Sequence, residues 1–121
     1  MATKKVETPV ETPAEPDLFP AIAKGIDEDG LRWEEIILYG TTYRVREITV
    51  DESDDAFDAS QNPDKTYNPR LNQRLELISS IVSPTVTLDQ ISKWSTVKLR
   101  ALLYVHGRIN TLPAADASGN A

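Results

Sequence analysis

Cysteine is absent from this chain of 121 residues, and histidine occurs once. Without cysteine there is no disulfide framework, no thiolate metal site and no cysteine nucleophile. A lone imidazole with no thiolate beside it leaves a transition-metal site without a ligand set. Glycine is scarce, at five residues, and none stands in the G-x-x-x-x-G-K pattern of a phosphate loop. No apolar run approaches the ~20 residues that a membrane span needs. The opening MATKKVETPVETP has two lysines but no hydrophobic core after them, so it does not read as a secretory signal. These absences lead to the expectation of a soluble, cytoplasmic chain with no cofactor and no metal.

What is present suits one modest domain, with 40% hydrophobic residues spread over the length. The formal charge of −6 is uneven. Residues 1–30 hold three basic and seven acidic side chains, a net of −4, and the remainder ten and twelve, a net of −2. A balance of this sign argues against generic attraction to nucleic acid. Residues 1–19 read as a disordered acidic arm, because ETPVETPAEP is a near-repeat with no apolar stripe to bury. Leu18, Phe19 and Ile22 form a short apolar island expected to dock on the domain. A domain is expected over residues 20–113, and the small, polar residues 114–121 read as a flexible tail.

The most informative stretch is YNPRLNQRLELISSIVSP, from Tyr67 to Pro84, which reads as one amphipathic helix. Asn68 is a good N-cap, and Pro69 suits the first helical position, where its missing N–H costs nothing. Leu71, Leu75, Ile78 and Val82 draw one apolar stripe at the helical period, with Leu77 and Ile81 beside it. Ser83-Pro84 supplies the stop. The stripe predicts that Leu75 and Ile78 are core.

Upstream, Trp33–Tyr39 and Thr42–Ile48 read as a β-hairpin turning at Gly40-Thr41. Tyr43 and Val45 alternate with Arg44 and Arg46, giving a dry face and a wet one. Ile36-Ile37-Leu38 breaks that alternation, which predicts cover on both sides. Thr49-Val50-Asp51-Glu52 has capping-box form and opens a helix to about Ser60, with Val50 and Phe57 expected on its inner side. QNPDKTY reads as a turn-rich loop. Thr87-Leu88-Asp89-Gln90 is a second capping box, opening a short helix to about Trp94. Ser95 then caps a last helix with a stripe of Leu102, Val105, Ile109 and Leu112. The fold class expected is α+β, an N-terminal β-hairpin packed on three to four helices, with a disordered proline-rich arm.

Little in this pattern carries chemistry. Asp51, Glu52, Asp54, Asp55 and Asp58 lack the ligand spacing and the glycine of a calcium loop, so they read as a solvated acidic face. His106 reads as a partly buried helix residue hydrogen-bonded nearby. Ser79, Ser80 and Ser83 have no evident base. No catalytic, cofactor-binding or metal residue is therefore assigned, and the expectation is a chain that is not an enzyme. Thr87–Asn110 could pass for a helix-turn-helix reader, with phosphate contacts from Lys93, Lys98, Arg100 and Arg108. Leu99, Leu102, Leu103, Tyr104 and Val105 make its second helix too apolar for a major groove.

From Tyr43 onward the order of features is more specific. YRVREITVDE, then QNPDKTYNPRLNQRLELISSIVSP, then TLDQISKWSTVKLRALLYVHGRINTLP resembles the tail assembly chaperones of long-tailed bacteriophages. The resemblance spans roughly residues 33–113 and rests on pattern and order rather than a catalytic signature. It implies a non-enzymatic protein of the host cell cytoplasm that binds the tape measure protein and keeps it soluble until tail tube subunits polymerise around it. It also implies contact with the tail tube protein wherever ribosomal frameshifting makes a longer product. Self-association is left open, and no nucleic acid or membrane partner is expected. The alternatives are a virion structural protein (a minor tail or head–tail connector component), a small helix-turn-helix DNA-binding regulator and, last, an unrecognised enzyme. Partner-binding residues are not legible at this stage.

Overall fold

Tyr39 and Gly40 both take positive φ, 52° and 79°, and so form the tight turn on which the sheet is built. Two successive left-handed residues give a hairpin turn whose twist matches the strands it joins. In the computed structural model, which describes residues 18–112, this turn links β2 (Arg32–Leu38) to β3 (Thr41–Arg46). The turn thus falls one residue earlier than the Gly40-Thr41 expected, because Leu38 pairs with Thr41. Two further strands extend the hairpin. β1 (Ala23–Ile26) pairs with β2, and β4 (Ile81–Ser83) pairs with β3, giving an antiparallel sheet in the order β1-β2-β3-β4. Four helices complete the α+β fold: α1 (Val50–Ala59), α2 (Pro69–Ser80), α3 (Leu88–Ser92) and α4 (Thr96–Ile109). The expectations for the arm before Leu18 and for residues 114–121 fall outside the described residues.

Both capping boxes form. The Thr49 and Thr87 hydroxyls accept from the N–H groups of Glu52 and Gln90, whose side chains accept in return from the cap N–H groups. Asn68 and Ser95 cap α2 and α4 with their side-chain oxygens. Each such cap satisfies a donor that the helix itself leaves open.

The helix expected to run to Pro84 ends at Ser80 instead, and Ile81-Val82-Ser83 becomes the sheet edge. Ser80 is fully buried, and its hydroxyl donates to the Arg46 carbonyl at 2.6 Å, tying the end of α2 to β3. The β-branched Ile81 and Val82 suit the extended backbone that follows. With the chain turned there, Leu77 and Ile81 become core residues. Leu71, Leu75 and Ile78 are only half-buried, and Val82 is exposed. The predicted stripe was therefore displaced round the helix.

One face of the sheet carries Ile36, Leu38, Tyr43 and Val45 into a core shared with Leu77, Ile91, Leu102, Val105 and Ile109. The other face carries Trp33, Glu35 and Arg44: the Arg44 guanidinium lies 3.9 Å from the Trp33 ring centre and bonds the Glu35 carboxylate. Ile37 shares that side and is exposed, so the triplet around it is not covered twice. α1 also turned out rotated from expectation. Its buried residue is Ala56, whereas Val50 and Phe57 face outward.

Candidate functional site

Arg108 on α4 organises an open, partly apolar region of the surface. Its two terminal nitrogens donate to the Leu18 and Phe19 carbonyls at 2.8 Å, and one also bonds the Glu34 carboxylate at 2.7 Å. Three acceptors from two segments thus converge on one planar cation, an arrangement a guanidinium suits better than an ammonium. The segment before β1 is strapped against α4 in consequence. Of the island Leu18, Phe19 and Ile22, only Phe19 packs on the core, meeting the Tyr104 ring edge-on at 6.2 Å between centroids. Leu18 and Ile22 remain exposed.

Beside the strap, a shallow cleft of about 580 Å³ is lined by Arg32, Leu103, Tyr104, Arg108 and Leu112. Arg32 also lines a neighbouring hollow of about 310 Å³ with Ile26, Glu34 and Ile109. Arg32 is itself held: its Nε bonds Glu47 at 2.8 Å, and a terminal nitrogen caps the Ile109 carbonyl at the end of α4. Ile26, Tyr104 and Leu112 line these two hollows and are exposed, as are Leu18 and Ile22 in the strap. Leu112 was expected to extend the α4 stripe into the core, but the helix ends at Ile109 and leaves it outside.

The polar candidates behave differently. His106 is largely buried between α4 and α2, with Nε2 3.8 Å from Glu76 and Nδ1 3.1 Å from the Asn110 amide. Burial holds the imidazole below its usual pKa, and the Glu76 charge offsets this only in part. Ser53 donates to the same Glu76 carboxylate at 3.0 Å. The hydroxyl therefore meets the acid rather than the imidazole, so the trio has no base-activated nucleophile. Of the acidic group on α1, Glu52 turns inward to Arg46 at 2.6 Å, while Asp51, Asp54, Asp55 and Asp58 are exposed. Among the described residues no three acidic or imidazole side chains cluster as a metal site would require.

The four cations proposed as DNA contacts do not share a surface role. Arg108 is held by the strap and Glu34, Lys93 pairs with Asp89 at 2.9 Å, and Lys98 lies over the Trp94 ring. Arg100 is exposed. Among the described residues no helix is long and apolar enough to cross a membrane. No family model matches the chain, and neither does any curated protein or solved structure.

The role of Arg108 and the exposure of Ile26 were missed from sequence. A signal for β1 was present in Asp27-Glu28-Asp29-Gly30, a turn-forming run between Ile26 and Trp33. Nothing local to Arg108 marks it as a strap anchor, because its acceptors lie 74 to 90 positions away.

Proposed function

We propose that this chain is a phage tail assembly chaperone, acting in the host cytoplasm to hold an aggregation-prone, largely helical tape measure protein in solution. The observation that carries the reading is the apolar rim of α4, where Ile26, Tyr104 and Leu112 stay exposed in two shallow hollows and Leu18 and Ile22 of the strap are exposed as well. Shallow apolar hollows rimmed by charge fit the apolar face of an amphipathic helix. Many copies along one long client gain by multivalency, while each contact stays weak enough for tube subunits to displace. The resemblance over residues 33–113 supplies the identity of the client, and a longer frameshifted product would bring the tube protein into contact.

Co-expression with the cognate tape measure protein tests this. The chain should raise the client's soluble yield and co-purify with it, and the complex should survive about 0.5 M salt, where only a few Å of electrostatic range remain. Tyr104→Asp should abolish co-purification while leaving the fold intact. A chain that shifts duplex DNA at low salt and leaves the client insoluble would be a regulator instead. Retention in finished particles would favour a virion structural component.

A further inference from the structure

Trp94 and Lys98 meet at the start of α4, beside the loop that leads from β4 into α3. The Lys98 ammonium lies 4.6 Å from the centre of the Trp94 ring and 5.6 Å from that of Tyr43. With Pro84 and Val86 these residues line an open groove of about 330 Å³. Trp94 is half-buried and Pro84 exposed, so the groove has an aromatic wall and a proline lip. Among the described residues no carboxylate pairs with Lys98, whereas Lys93 at the groove's edge is matched by Asp89 at 2.9 Å. A flat aromatic surface thus stands beside one cation that lacks a counter-charge.

Grooves lined by aromatic rings take up polyproline II segments, because proline rings stack on them and the stiff, extended backbone has little freedom to lose. This chain carries a segment of that chemistry. Residues 6–13, VETPVETP, hold the triplet Glu-Thr-Pro twice, as Glu7-Thr8-Pro9 and Glu11-Thr12-Pro13. Each proline restricts the threonine before it to extended geometry. At about 3.1 Å per residue, a glutamate would fall about 6 Å from its proline. That is the scale on which Lys98 and the Trp94 ring are separated, so one triplet can set its proline on the indole and its carboxylate beside the ammonium.

Reach agrees with chemistry. Arg108 holds the Leu18 carbonyl at 2.8 Å, which fixes where the segment leaves the domain. Lys98 lies ten residues before Arg108 on the same helix, about 15 Å along its axis. In polyproline II the five steps from Leu18 back to Pro13 cover about 15 Å, and the nine back to Pro9 about 28 Å. Pro13 can just reach the groove, and Pro9 reaches it with slack.

We infer that the Tyr43–Trp94–Lys98 groove is a docking site for the acidic, proline-rich residues 7–13 of the same chain. Charge complementarity and the tether at Leu18 select this occupant, since a tethered segment faces its site at an effective concentration of about millimolar. Two triplets serve one groove, so the segment can bind in either of two registers. The groove shares no residue with the two hollows of the α4 rim, and its occupation does not depend on what that rim binds.

The absence of cysteine and the presence of only two tryptophans allow a direct test in the full chain. A nitroxide is attached through Val6→Cys, and the two indole N–H signals of the isotope-labelled protein are compared before and after the nitroxide is reduced. The Trp94 signal should be lost while Trp33, on the sheet face away from α4 with Arg44, keeps most of its own. Lys98→Glu should restore the Trp94 signal. Adding Glu7→Lys and Glu11→Lys to Lys98→Glu should remove it again, because the charges are then exchanged. An amide spectrum otherwise matching wild type shows that each variant is folded; if Lys98→Glu fails this, Lys98→Gln replaces it and should also restore the signal. Equal intensity for the two indoles, loss of Trp94 that persists without Lys98, or a charge exchange without effect would each overturn the inference. So would loss of Trp94 in isotope-labelled chains that carry no nitroxide when they are mixed with chains that do, since the groove would then hold a second copy's segment.

Discussion

Arg108 and Glu34 meet at 2.7 Å, joining the last helix to the second strand across 74 positions of the chain. Both side chains are largely shielded, at 23% and 16% exposure, so the pair lies where removing one partner strands the other. Because the same guanidinium holds the Leu18 and Phe19 carbonyls, its loss also frees the strap.

Arg108→Ala should therefore cost about 2–4 kcal/mol in urea denaturation. Arg108→Lys should recover only part, since one ammonium cannot span the three acceptors in the plane a guanidinium provides. A full recovery by lysine would show that charge alone matters there. Hydrogen exchange at Ile22, whose N–H bonds the Glu35 carbonyl, should quicken in the alanine variant.

Leu77→Ala should cost about 2–5 kcal/mol, the range for emptying a well-packed core site, because Leu77 is wholly buried. Leu75→Ala should cost distinctly less, since Leu75 is half-buried. Thermal or chemical denaturation of the two variants side by side decides it. Equal losses would place α2 in a different rotation.

The Leu75 and Leu77 contrast shows where the sequence was legible and where it was not. Thr49 with Glu52 and Thr87 with Gln90 could be recognised because both partners of each cap lie within one turn of chain. Asn68-Pro69 announced the start of α2 for the same reason. Val82 continued the helical spacing of Leu75 and Ile78, yet its backbone belongs to β4, whose identity depends on the distant Val45–Ile81 pairing. Three-residue strands carry too little periodicity to outweigh a helical stripe. The rim of α4 was hidden for a related reason: exposure of Ile26 and Tyr104 depends on what the tertiary fold fails to cover.

Tyr39→Asn should raise stability by about 1 kcal/mol. Tyr39 is a bulky, exposed residue held at a φ of 52°, where asparagine is far more at ease. Asn-Gly is also the favoured pair for this turn. A melting temperature unchanged or lowered would mean that the Tyr39 ring contributes something its exposure conceals.

Acidification should weaken the fold in two separate windows. Burial depresses the folded pKa of His106, so near its unfolded value of about 6.5 the unfolded chain binds more protons and stability rises with pH. Its contribution is whole above about pH 6.5 and is lost as pH falls from there through the folded value. His106→Gln should remove this slope from a plot of unfolding free energy against pH. Glu47 and Glu52 act lower down. Burial opposes the Glu47 charge, but hydrogen bonds from Arg32 outweigh it; the Arg46 hydrogen bond is the main influence on Glu52. Both are depressed, so their contribution is whole above the ordinary carboxylate range and is lost as pH falls from there through their lower folded values. A flat profile between pH 5 and 7 would sink the histidine part alone.

The placement of β4 has a kinetic consequence. β2 and β3 are neighbours in sequence and can zip from the Tyr39-Gly40 turn on the microsecond scale of an isolated hairpin. Val45 cannot find Ile81 until α1 and α2 have folded back between them, which makes closure of that edge a late, entropically costly event. Until then β3 offers an open row of backbone donors and acceptors to any passing chain. Newly synthesised molecules therefore expose a six-residue edge until Ser80 reaches the Arg46 carbonyl, after which the open edge on that side is the three residues of β4.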